Sequence, residues 1–93
     1  MRDKLKKLEE EFVELNAEMA IPEVIADQKK YQVLLARRRE LEAAVDLYRE
    51  IKKCDAAIEE SEEMLKDSDP EIQEMAKEEF KEAKDRLEAL EEE

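Results

Sequence analysis

Residues 27–67 read DQKKYQVLLARRRELEAAVDLYREIKKCDAAIEESEEMLKD, a run that contains neither Gly nor Pro. Its apolar side chains recur at steps of three and four, which is typical of a helix with one buried side. These positions are Tyr31, Leu34, Leu41, Val45 and Tyr48, followed by Leu47, Ile51, Cys54, Ile58 and Leu65. The pattern predicts one uninterrupted helix, on the order of 60 Å long at about 1.5 Å per residue.

The apolar stripe of this predicted central helix has two parts. The first part ends at Tyr48, and the second begins beside it at Leu47 rather than continuing the same line. A two-stranded coiled coil needs only a narrow seam, whereas a broader stripe serves two neighbouring helices. The sequence therefore predicts that the central helix packs against two others, one from each side of it in the chain.

A first helix is predicted over residues 2–19. Its apolar face consists of Leu5, Leu8, Phe12, Leu15 and Met19. Pro22 prevents this helix from continuing, because proline lacks an amide hydrogen and restricts the residue before it. The corner 20–26 follows, and Asp27 is the predicted N-cap of the central helix. We expect the apolar corner residues to tuck under the bundle: Ile21, Val24 and Ile25.

A third helix is predicted over residues 69–91. Ser68 and Glu71 have the spacing of a capping box, and Pro70 suits the first helical turn. The apolar stripe consists of Ile72, Met75, Ala76, Phe80, Ala83, Leu87 and Leu90. Because the Glu-rich end shows no cap, we expect this helix to be cut short, which would expose Leu87 and Leu90 and favour self-association.

Composition supports an all-helical protein. The 93 residues include no Gly and two Pro, and these are the residues that mark turns and loops. A chain of this length suffices for one domain, and short connections make successive helices antiparallel. The predicted fold is all-α: a single domain over residues 1–93, built as an elongated antiparallel three-helix bundle or helical hairpin with a long central helix.

The formal net charge of −12 disfavours binding to nucleic acid or to an anionic membrane, because either contact would add repulsion. A basic protein surface is the partner that suits this charge; the alternative is that the acidic helices are only solvated. A single cysteine fits a reducing compartment, and no run of about 20 apolar residues occurs. Since the start of the chain also lacks an apolar signal core, we predict a cytoplasmic location.

The sequence offers little for catalysis or metal binding. It contains no His, and Ser61 and Ser68 have no base nearby in the chain. Cys54 lies on the apolar stripe and is predicted to be a small core residue. The carboxylates show neither calcium-loop spacing nor a Glu-x-x-His pair, so we predict no metal site, no cofactor and no catalytic residue.

Arg37, Arg38 and Arg39 form the one basic cluster. Consecutive helical positions spread over about 200° of the circumference, so the three do not form one patch. Arg38 lies close to the apolar seam, where its stem can pack while its head reaches water. Two interpretations stay open: pairing with Asp and Glu of adjacent helices, which we favour, or a local phosphate contact. No binding residue is assigned.

Two segments resemble a known family. Residues 21–31 read IPEVIADQKKY, and residues 68–79 read SDPEIQEMAKEE. In this order, they are similar to the amino-terminal domain of bacterial class I peptide chain release factors, of the type that reads UAA and UAG. The resemblance covers essentially the whole chain.

The resemblance implies a role in translation termination. Class I factors bind the ribosomal A site at a stop codon and trigger hydrolysis of peptidyl-tRNA, using a Gly-Gly-Gln loop in later domains. Since this chain has no Gly, the resemblance implies a non-catalytic arm of a longer factor, without sequence-specific binding to nucleic acid. In the family, the arm reaches toward the ribosomal GTPase-associated region near ribosomal protein L11 and is implicated with the class II release-factor GTPase. The alternative is a generic acidic helical scaffold or interaction module with no ribosomal role.

Overall fold

The computed structural model describes residues 1–92 of the chain, and within them it contains helices and no strand. In chain order the helices are α1 (Arg2–Met19), α2 (Pro22–Ala26), α3 (Gln28–Met64) and α4 (Pro70–Glu91). The prediction of an all-α fold with a long central helix is confirmed. Contacts divide the chain into two compact units, Met1–Tyr48 and a second that begins at Arg49, and α3 contributes to both.

The first unit contains an antiparallel pair formed by α1 and the first half of α3. Its core draws on both helices and consists of Phe12, Leu15, Leu41 and Val45, with Leu8 and Leu34 partly buried against it. Glu11 pairs with Arg37, whereas Glu18, later in α1, lies near Lys30, earlier in α3. The two helices therefore run in opposite directions, as their short connection predicts.

The corner between α1 and α3 forms the short helix α2. Val24 is buried there, but Ile21 and Ile25 are 43% and 55% exposed, so the expectation that all three tuck inside is wrong for the two isoleucines. A helix of five residues completes little more than one turn of about 3.6 residues. It can direct only one side inward, which is the side of Val24; Ile25 lies on a different side, and Ile21 is the N-cap residue before the helix.

Local hydrogen bonds explain where α3 begins and ends. The Asp27 carboxylate accepts the Lys30 amide at 3.2 Å, which is the predicted N-cap interaction. The helix ends at Met64 rather than at residue 67, because the amides of Lys66 and Asp67 bond to carbonyls three residues back. Such bonds tighten the last turn and stop the regular helical pattern.

The second unit contains the remainder of α3 beside α4. A groove of about 260 Å³ has Cys54 and Ala57 of α3 on one side and Ala83 and Arg86 of α4 on the other, so these two helices lie next to each other. The buried residues of this unit are Ile51, Cys54, Ser61, Ala76, Ala83 and Leu90. Two of the three buried residues of α4 are alanines, Ala76 and Ala83.

Ser61 is a fully buried polar residue that the apolar pattern did not indicate. Its Oγ donates a hydrogen bond to the Ala57 carbonyl oxygen at 2.7 Å, so the hydroxyl is satisfied within its own helix. Burial of this polar group therefore requires no partner from another helix.

Three details of α4 differ from the sequence-based expectations. Its N-cap is Asp69 and not Ser68, because Asp69 directly precedes Pro70 and its carboxylate accepts the Glu71 amide at 2.9 Å. Met75 is 63% exposed, since the neighbouring Ala76 takes the inward position on the helix. Leu90 is buried, so the expectation that it would be exposed is wrong.

Because Ile51 is fully buried, a charged side chain at this position should strongly destabilise the fold. We expect Ile51→Asp to lower the free energy of unfolding by about 3–5 kcal/mol, because an unpaired carboxylate would be buried between helices. That loss is comparable to the whole stability of a small domain. Thermal melting followed by circular dichroism measures it. Met75→Asp is the control at an exposed position, where a change within about 0.5 kcal/mol is expected. Equal melting curves for the two variants would contradict the observed core.

The N-cap of α4 predicts a contrast between adjacent residues. Asp69→Ala removes the acceptor of the Glu71 amide and should cost about 1 kcal/mol of stability. Ser68→Ala should cost less than about 0.5 kcal/mol, because Ser68 is an exposed residue outside the cap. Urea unfolding of both variants measures the difference. A larger loss for Ser68→Ala than for Asp69→Ala would favour the capping box predicted from the sequence.

Candidate functional site

Arg37 is held by carboxylates on two sides. Its Nε and Nη2 donate to the two carboxylate oxygens of Glu11 at 2.6 and 2.9 Å, and its Nη1 donates to Glu40 at 3.1 Å. The hydrogen bond from Arg37 lowers the pKa of Glu11, and the bonds to Glu11 and Glu40 raise the pKa of Arg37. The pair therefore persists above the ordinary pKa of a glutamate and weakens as the pH falls through the lowered pKa of Glu11.

The other two arginines have different surroundings. The guanidinium carbon of Arg38 lies 5.4 Å from the centre of the Phe12 ring, within reach of a cation–π interaction, while Arg39 is exposed. The Nε of Arg38 is buried and has no hydrogen-bond partner in the described part of the chain. The cluster is thus not one basic patch. Of the two interpretations of the cluster, pairing with a carboxylate of another helix is observed for Arg37. Contact of the cluster with phosphate remains a hypothesis.

Two of the three residues considered for catalysis, Ser61 and Cys54, are buried, whereas Ser68 is exposed between α3 and α4. Ser61 is fully buried with its hydroxyl hydrogen-bonded to a backbone carbonyl. Cys54 is buried as well, at the edge of the groove between α3 and α4. Within residues 1–92, no group of three or more Cys, Asp or Glu side chains is arranged to hold a metal ion. None of the helices described is long and apolar enough to cross a bilayer.

Two large apolar side chains remain exposed at the corner between α1 and α3. We call Ile21 and Ile25 the corner patch; both are roughly half exposed and lie one helical turn apart. A separate open hollow is lined by Glu23, Ala26, Asp27, Gln28 and Lys29 and includes neither isoleucine. Its charged residues are two carboxylates and one lysine. In the sequence, the only indication was an i,i+4 apolar pair in a segment too short to bury both members.

Comparison with known proteins places the chain in a family. The model of the PCRF domain matches residues 8–93. The chain is 47% identical over 90 residues to peptide chain release factor 1 of Maridesulfovibrio salexigens, covering 97% of this chain and 25% of that protein. The corresponding protein of Clostridium botulinum strain Hall is 43% identical over 94 residues, covering 100% of this chain and 26% of that protein.

A third relative is matched over a similar share of its own length and of this chain. Peptide chain release factor 1 of Acidobacterium capsulatum is 38% identical over 91 residues, which is 98% of this chain and 25% of the relative. The chain thus spans about a quarter of the length of these curated relatives. No solved structure gives a significant match.

These matches confirm the resemblance to bacterial class I release factors that the segments 21–31 and 68–79 indicated. The matched region also includes α2, α3 and α4 completely and most of α1. The chain therefore belongs to the PCRF domain family.

Proposed function

We propose that this chain acts as the non-catalytic amino-terminal arm of a translation-termination release factor and works in the cytoplasm. One observation carries the proposal: the chain is similar along nearly its whole length to release factor 1 proteins, of which it spans about a quarter. The generic-scaffold alternative offers no reason for a match of this extent. The function therefore belongs to translation termination, and the part played by this chain is that of one segment within a longer factor.

The composition and the interior of this segment support a non-catalytic role. A Gly-Gly-Gln loop cannot be formed by a sequence with no Gly. The hydroxyl of Ser61 is buried and already donates its proton to a carbonyl, which leaves no exposed nucleophile at that position. In the proposal, hydrolysis of peptidyl-tRNA belongs to the remaining three quarters of the factor, and the arm supplies binding.

The proposed partners are the GTPase-associated region of the large ribosomal subunit, near ribosomal protein L11, and the class II release-factor GTPase. The net charge of −12 supports a basic protein surface rather than bare RNA as the direct contact. Complementary charge raises the rate of encounter and selects the orientation in which the arm approaches. The arm would thereby favour binding of the factor without entering the chemical step.

Deleting the arm should separate binding from chemistry. The host is release factor 1 of M. salexigens, in which the matching segment is either exchanged for residues 1–93 of this chain or deleted. On stop-codon-programmed ribosomes, we expect the deletion to leave kcat of peptide release within about threefold of the undeleted factor and to raise KM at least about tenfold. The reason is that the arm would bind the ribosome equally in the ground state and the transition state, so its loss weakens binding alone. We also expect the deletion to abolish stimulation of turnover by the class II GTPase.

The exchanged factor is the matched control and should retain both the low KM and the response to the GTPase. Loss of kcat on deletion would show that the arm takes part in the chemical step. An unchanged KM together with an unchanged response to the GTPase would show that the segment has no interaction role. Either result would overturn the proposed function.

A further inference from the structure

We propose that charged side chains of α1 and α3 select the register in which these two helices pair, and thereby fix the turn between them at the corner 20–26. The charges are those of Glu11 and Glu18 in α1 and of Lys30 and Arg37 in α3. This conformational device goes beyond the proposed function, because it belongs to the chain itself and its test needs no ribosome.

The apolar spacing alone admits more than one register. Leu8 and Leu15 are seven residues apart in α1, and Leu34 and Leu41 are seven residues apart in α3. All four lie in or against the core of the first unit. Seven residues are close to two helical turns, so a slip of this size brings apolar side chains back to apolar side chains. Burial of the stripe therefore leaves the choice between these registers open.

The two ion pairs between α1 and α3 follow the same repeat. Arg37 donates to both carboxylate oxygens of Glu11, and the Nζ of Lys30 lies 4.0 Å from Glu18. Glu11 and Glu18 are seven residues apart, and so are Lys30 and Arg37. Because the helices are antiparallel, both pairs form in one register. Ion pairs beside the apolar seam of paired helices set partner choice and orientation.

A slip of seven residues in either direction would lose one of the two matches. In one direction Arg37 would meet Lys4, a like charge, while Lys30 would meet Glu11. In the other direction Arg37 would meet Glu18, while Glu11 would lie opposite an alanine. Exposed ion pairs contribute little to the total stability, but a small difference decides between registers with similar apolar burial. Like charges placed against each other also suppress a wrong pairing.

The contact between Arg38 and Phe12 favours the same register. The guanidinium carbon of Arg38 lies 5.4 Å from the centre of the Phe12 ring, and Phe12 is the only aromatic residue of α1. A slip of seven residues would put Leu5 or Met19 opposite Arg38. Neither side chain has an aromatic face to attract the cation. Three contacts of different residues thus agree on one register.

Carbodiimide crosslinking of the 93-residue chain reads the register directly, because it forms an amide between a lysine amine and a carboxylate only where the two are in contact. In the observed register Lys30 should be joined to Glu18, and mass spectrometry of peptides from the monomer identifies the product. A slipped register would join Lys30 to Glu11 instead. Formation of both products in equal amounts by the unaltered chain would overturn the proposal.

The variant Arg37→Glu should change the register. It places two carboxylates against each other in the observed register, whereas after the slip the new carboxylate would meet Lys4 and Lys30 would meet Glu11. We expect the ratio of the Lys30–Glu11 product to the Lys30–Glu18 product to rise at least about tenfold. Adding Lys4→Glu removes the attraction in the slipped register and should reverse most of this rise.

Lys53→Glu is the matched control, because it reverses a cation that pairs with Glu50 within α3 and outside the first unit. It should leave the ratio of the two products unchanged. An unchanged ratio in Arg37→Glu would show that the connection between the helices, and not charge, fixes the register, and would overturn the proposal.

The melting temperature gives a second measurement. We expect Arg37→Glu to lower it by about 4–8 °C, and Glu11→Arg/Arg37→Glu to recover most of that loss, because the swap restores opposite charges in the observed register. If Arg37→Glu fails to fold, folding of the double variant supports the proposal. Failure of both variants to fold, or additive losses from the two reversals, would overturn it.

Discussion

Burial of the apolar stripe of α3 is the constraint on which each of the two units depends. An isolated helix would leave its apolar stripe exposed to water. Such a helix is only marginally stable, even when its residues have high helix propensity. Leu41, Val45 and Ile51 are nevertheless almost completely buried. α1 covers the stripe in the first unit, and α4 lies beside it in the second. The two shorter helices are therefore required by the apolar content of the long one.

The same constraint explains why nearly half of the residues are charged without forming a polar core. None of the described charged residues is buried as a whole, although the Nε of Arg38 is, and the ion pairs are exposed, as in Lys53–Glu50 and Lys66–Glu63. Exposed pairs of this kind contribute little to stability, so packing rather than charge holds the helices together. The excess of carboxylates remains available to act over distance on a partner, which agrees with a binding role for the arm.

The Arg37–Glu11 pair and the corner patch show opposite uses of the first unit's surface. Arg37 donates to two oxygens of Glu11, so its charge is matched within the chain before any partner arrives. Ile21 and Ile25 are about half exposed and are not covered by another part of the described chain. A contact formed there would bury apolar surface, whereas a contact at Arg37 would first have to break an existing pair.

Periodicity in the sequence was sufficient for the all-α class, the long central helix and burial of Leu41, Val45, Ile51 and Cys54, because a helical repeat reports directly which side of a helix avoids water. It did not distinguish Ile21 and Ile25 from Val24, or Met75 from Ala76, since each set is apolar at compatible spacing. Which of these residues is buried depends on which side of the helix a neighbouring helix covers, and the same holds for Ser61. Packing between segments far apart in the chain decides these positions, and the local spacing of apolar residues does not indicate it.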